Sequence, residues 1–150
     1  MKIKEEYYFM GIIIALISGM LMSIQGVFNT GITKETGNWV CNCYVQFTAL
    51  LAGLVVWMAV DRQNFLLLKE VQPKYFLVSG IIGTGITFTV IKGMELLGPA
   101  KAVMIIVISQ IFVAYMIEVF GLFGVEKTGF EIKKLVGVIV SIIGVILFKK

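Results

Sequence analysis

Apolar residues gather into five long runs, at about 7–28, 39–60, 75–94, 101–122 and 132–148, separated by short polar islands. A helix rises about 1.5 Å per residue, so roughly 20 apolar residues cross a hydrocarbon core about 30 Å thick. The first four runs meet that length. The fifth holds 14 uncharged residues from Leu135 to Phe148, about 21 Å of helix. It reaches across only if Lys133, Lys134, Lys149 and Lys150 extend their ammonium groups to the head-group layers. The pattern predicts an all-α membrane protein, with 1–150 forming a single transmembrane domain of five helices and a first loop over Asn29–Asn38.

The N-terminus has lysines followed by an apolar run, as a secretory signal does. The run exceeds the usual h-region and no A-x-A-like site follows it, so it reads as a retained first span.

Polar residues inside the runs point to chemistry, because an amide or acid in lipid must face protein or water. In the first run Gly11, Ala15 and Gly19 form a small-residue stripe, and Gln25 and Asn29 follow near its end. Gln25 serves either a helix–helix hydrogen bond or a polar path. In the second run Asn42 and Gln46 share a face, four residues apart. Asn38 is placed to cap that helix; Asn42 then lies one turn in, at the interface, and Gln46 is the deeper candidate. The third run is rich in glycine and threonine (Gly80, Gly83, Gly85, Thr84, Thr87, Thr89), which favours close packing or a bend. Gly98-Pro99 breaks the chain before the fourth run and predicts a tight hairpin.

The fourth run carries no charge from Ala102 to Ile117 and then one carboxylate, Glu118. Ala102 to Val125 would span about 36 Å, with Gln110 near the middle and Glu118 about 24 Å along. Gln110, Ala114 and Glu118 step by four and lie close to one face. An ionisable group inside a span is a functional candidate by default. The bland alternative is an interfacial carboxylate hydrogen-bonded at a helix end.

Composition sharpens this picture. Of 150 residues 59% are hydrophobic and 15% charged, and the mean hydropathy is +0.97. That is more apolar material than a soluble domain of this size can bury. The net charge of +4 comes from lysines flanking the spans, which suits lipid head groups rather than nucleic acid. Cys41 and Cys43 are the two cysteines and there is no histidine, so one chain cannot assemble a four-ligand zinc site. The pair reads as small reduced packing residues. No nucleophile–base pair or phosphate-binding glycine loop is present, which argues against an enzyme and against any cofactor.

Five spans would put the termini on opposite sides. One side would then hold Lys2, Lys4, Arg62, Lys69, Lys74, Lys127, Lys133 and Lys134; the other would hold Lys34, Lys92, Lys101, Lys149 and Lys150. Eight against five favours an inside N-terminus, with a bias small enough to permit insertion both ways. Two oppositely inserted copies would supply the inverted symmetry many transporters use. An antiparallel homodimer is therefore the expected assembly.

QGVFNTGI at 25–32, SQIFVAYMIEVFGLFG at 109–124 and LVGVIVSIIGVILF at 135–148, with LGPA at 97–100, resemble the YdcZ-like family of the drug/metabolite transporter superfamily. The most specific part is a glutamine, an acid eight residues on, and then Phe-Gly, met here by Gln110, Glu118 and Phe120-Gly121. The family commonly carries aspartate and histidine where this chain has Glu118 and Val119, so an imidazole relay there is missing. The resemblance implies five transmembrane helices, antiparallel pairs and a transporter class without a named substrate.

The expected function is small-molecule transport across the cell membrane by alternating access, for a small cationic or polar solute. Gln25, Asn29, Gln46, Gln110 and Glu118 are the expected substrate-binding residues. The expected partners are a second copy, the lipid bilayer and the solute. The competing expectation is a non-transporting membrane scaffold or accessory subunit.

Overall fold

A computed structural model describes residues 2–148, and the side chains of all of these except 2–4, 145 and 148. Lys149 and Lys150 lie outside the described residues, as do the side chains of Lys2 and Lys4. Among the described residues five α-helices run in order: α1 (Lys2–Thr36), α2 (Asn38–Val56), α3 (Ser79–Leu97), α4 (Pro99–Phe120) and α5 (Ile132–Phe148). No strand occurs among the described residues. Among the described residues four stretches are long and apolar enough to cross a membrane: Glu5–Thr36, Asn38–Asp61, Lys74–Leu97 and Pro99–Phe120. The 17-residue α5 is shorter than these. The chain divides into two compact units, Met1–Lys92 and Gly93–Lys150.

In the first unit α1 does not stop near Phe28. It continues through Thr36, so the loop expected over Asn29–Asn38 is helix for most of its length. The polar residues that suggested a loop sustain the helix instead. Thr30 Oγ1 donates to the Gly26 carbonyl at 2.9 Å and Thr36 Oγ1 to the Ile32 carbonyl at 2.9 Å. A hydroxyl bonded to its own backbone brings no unmet donor into the bilayer.

The turn is then made by one residue. Gly37 has φ 86° and ψ 159°, a conformation open in practice to glycine alone. Its N–H donates to the Thr33 carbonyl at 2.8 Å, and its carbonyl accepts from the Cys41 N–H at 3.1 Å. Asn38 is therefore the first residue of α2, and no side chain caps that helix. The expected Asn38 cap is replaced by the Gly37 joint. Behind it Cys41, Val45 and Ile91 form a small buried cluster, with Ile32 packed against it.

The second end of α2 unwinds through a π turn, Trp57–Asp61, to Arg62 in the left-handed region at φ 51°. Trp57 Nε1 donates to the Gln63 carbonyl at 2.9 Å, and its ring lies 4.6 Å from that of Phe65. Pro73 precedes a 3₁₀ turn, Lys74–Val78, that leads into α3.

In the second unit Gly98 repeats the joint of Gly37, with φ 78° and ψ 156°, and Pro99 opens α4. The Gly98 N–H donates to the Met94 carbonyl at 3.0 Å and the Ala102 N–H to the Gly98 carbonyl at 3.1 Å. Proline lacks an N–H, which costs nothing at this first helical position. α4 ends at Gly121, φ 65°. A Cβ there would lie 3.2 Å from that of Lys127, so the chain folds back tightly toward α5.

The Gly37 joint yields a paired expectation. Gly37→Ala forces a side chain into a glycine-only conformation and costs about 1–3 kcal/mol. Gly31→Ala lies in regular helix with nothing within 4 Å of its new methyl and adds up to about 1 kcal/mol of stability. Thermal unfolding in detergent should move in opposite directions for the two variants.

Candidate functional site

Gln25 and Asn29 stand one turn apart on α1, and both line a groove of about 930 Å³ between α1 and α2. Its other polar members are Ser18, Thr48 and Tyr44; the remainder is aliphatic apart from Phe28. No charged side chain lines it. Thr48 Oγ1 is held by the Tyr44 and Val45 carbonyls at 3.0 and 3.1 Å, which leaves its lone pairs facing outward as acceptors. Asn29 is buried at 6% exposure, and its backbone carbonyl accepts the Cys41 thiol at 3.3 Å. The groove can therefore read a neutral polar group through two amides while its walls cover an apolar body.

Gln46 does not line this groove. Its Nε2 points to Thr87 Oγ1 on α3 at 3.5 Å, and that hydroxyl in turn donates to the Gly83 carbonyl at 3.1 Å. One turn earlier on the same face, Asn42 donates from Nδ2 to the Thr84 carbonyl at 2.9 Å. Asn42 is 1% exposed, whereas Gln46 is half-buried. Burial in the protein thus favours Asn42, the residue nearer the turn. α3 covers that level of α2 and buries Asn42.

Of the cysteines, Cys41 is buried and packs in the core of the first unit, while Cys43 is exposed; both are free thiols. Among the described residues no three His, Cys, Asp or Glu side chains gather as a metal site would require.

Gln110 and Glu118 belong to the second unit. Gln110 lines a shallow hollow of about 400 Å³ on α4 with Ser109, Val113, Ala114 and Ile117. Glu118 is engaged locally: its Oε2 accepts from Lys134 Nζ at 3.0 Å, and Lys134 also lies 3.5 Å from Glu131 Oε1. Tyr115, 4% exposed, sets this arrangement. Its hydroxyl donates to the Glu131 carbonyl at 3.0 Å and accepts the Glu131 N–H at 2.9 Å. That double bond of contacts fixes the start of α5 so that Lys134 reaches Glu118. Both members of the ion pair remain roughly 40% exposed (39% and 41%), so water or head groups weaken the attraction.

The five expected site residues therefore fall into two groups, Gln25, Asn29 and Gln46 in one unit and Gln110 and Glu118 in the other. Sequence reasoning left out Thr48 and underrated Asn42. Thr48 carried no signal beyond being one hydroxyl in an apolar run. Asn42 was visible as an amide in a span, and only the packing of α3 reveals its burial.

A family model described as "Putative inner membrane exporter, YdcZ" matches residues 10–147. No curated protein and no solved structure matches the chain.

The two amides of α2 should differ on truncation. Asn42→Ala removes a sealed hydrogen bond and opens a void, at a cost of about 1–3 kcal/mol. Gln46→Ala loses a long, half-exposed contact and costs under about 1 kcal/mol. Thermal unfolding of the purified variants checks the order.

Proposed function

This chain belongs to the YdcZ inner membrane exporter family and is a multi-pass protein of the cell membrane; from that premise we propose that it carries a small polar, uncharged solute by alternating access. The observation that carries the reading is the groove of the first unit, with Gln25 and Asn29 on an otherwise apolar wall. Lipid tails offer such amides no partner, and a solute with hydroxyl or amide groups does. A cationic solute would find no counter-charge among the lining residues. The acid that would have served it, Glu118, is engaged by Lys134.

The working assembly is an antiparallel homodimer. In it α5 crosses as a fifth span, with its lysines at the head groups, and the near balance of flanking lysines allows both orientations. Two inverted copies would exchange open and closed sides without a fused repeat.

One observation favours the scaffold reading: Gln46 and Glu118 already have local partners, as residues with purely structural roles would. Flux separates the two readings. Protein reconstituted in liposomes, offered labelled neutral and cationic metabolites, should move a neutral polar solute. Gln25→Ala and Asn29→Ala should each lower that flux about tenfold, in line with the loss of one well-placed hydrogen bond, and Glu118→Gln should lower it less. Well-folded protein that moves none of the panel would establish the scaffold. For the assembly, tags on the two termini should each be found on both faces of the membrane; each tag on one face alone would exclude dual insertion.

A further inference from the structure

Six of the seven threonines in the described helices, Thr30, Thr36, Thr48, Thr84, Thr87 and Thr89, donate their hydroxyl to the carbonyl four residues back. Thr33 is the exception. Its natural acceptor, the Asn29 carbonyl, takes the helical N–H and also the Cys41 thiol at 3.3 Å, which fills both lone pairs. Thr33 Oγ1 is left sealed from water without a partner, and so are Asn42 Oδ1 and both polar atoms of the Asn38 side chain. Thr33 is 6% exposed and Asn42 1%.

These three residues surround one joint. Thr33 lies four residues before Gly37 and Asn42 five after, so both stand about 6–8 Å along their helices from the turn. Between them Cys41 is fully buried, at 0% exposure. A dry polar group without a partner favours any arrangement that lets water reach it, and several around one joint favour it more. The amide groove is lined from Ser18 to Ile32 on α1 and by Val45 on α2, and Ile32 and Val45 also pack in the Cys41 cluster, so the groove ends against this plug.

We propose that the Gly37 end of the first unit is a dry gate, closed in this structure and biased toward opening by the unpartnered groups of Thr33, Asn38 and Asn42. The proposal rests on the transport reading for its purpose, and its test does not depend on flux. Opening separates α1 from α2 at the joint, breaks the Cys41–Asn29 contact and hydrates the three side chains. Cys41 is thus a reporter already present in the chain.

In a Cys43→Ser background in phosphatidylethanolamine/phosphatidylglycerol vesicles, N-ethylmaleimide should modify Cys41 slowly, at a rate set by the open fraction. Thr33→Val keeps the shape and removes an unmet hydroxyl from the closed state. It should slow modification about fivefold or more and raise the unfolding temperature. Thr33→Ser, which keeps the hydroxyl, should stay within about twofold of the parent. Thr30→Val, whose hydroxyl is already bonded, should leave the rate unchanged. Equal Cys41 rates in the Thr33→Val variant and the parent, or a lower unfolding temperature in Thr33→Val, would overturn the gate whatever the flux. The expected slowing in protein that moves no solute would sustain the gate and overturn transport.

Discussion

A polar group carried into a bilayer has no water to turn to and must bring its own partner. Most of what is specific in this chain follows from that constraint. Six of the seven threonines in the described helices answer it one by one, their hydroxyls returning to their own backbone. The joints at Gly37 and Gly98 answer it for the main chain, since each turns the chain with one residue while both flanking helices keep their hydrogen bonds. The glycine-only conformation is the cost of making the turn so short.

Where the constraint is met, a polar group is taken up by its neighbour; where it is met imperfectly, a polar group is left for something else to bond. Gln25 and Asn29 line an open groove, so a solute can answer their need for partners. Glu118 has been answered by Lys134, through the Tyr115–Glu131 contacts that hold the α5 start in place. A carboxylate so matched is a poor site for a passing cation, because the cation would first have to displace an ammonium bonded at 3.0 Å. The amide pair of α1 and the amide–acid pattern of α4 therefore differ in what they can do.

Much of this was legible before any coordinates. Span positions follow from hydropathy, and the break at Gly98-Pro99 follows from proline's missing N–H. The amides stood out because so few polar residues enter the runs. The errors share one cause. Asn29, Thr30, Thr33 and Thr36 look like loop residues by polarity, yet Thr30 and Thr36 return their hydroxyls to their own backbone and Asn29 and Thr33 are buried, so α1 runs on. The burial of Asn42 could not be counted along one helix, because it depends on α3, which covers it. The Glu118–Lys134 pair joins residues 16 apart across a loop closed by Gly121, and one-dimensional spacing carries no trace of that closure.

The same accounting explains why Thr33 differs from Thr30, although both are threonines of one helix, three residues apart. Thr30 finds a free lone pair on Gly26. Thr33 meets a carbonyl already shared with Cys41, so the α1–α2 contact that closes the joint is what deprives the hydroxyl of its acceptor. Tight packing and an unmet hydrogen bond are thus one event seen from two sides. When the helices part, the thiol leaves, the Asn29 carbonyl regains a lone pair, and Thr33 can bond to its own backbone like its neighbours. On the gate proposed above, the open state would recover part of what it loses in packing, so the two arrangements would lie closer in free energy than packing alone would place them.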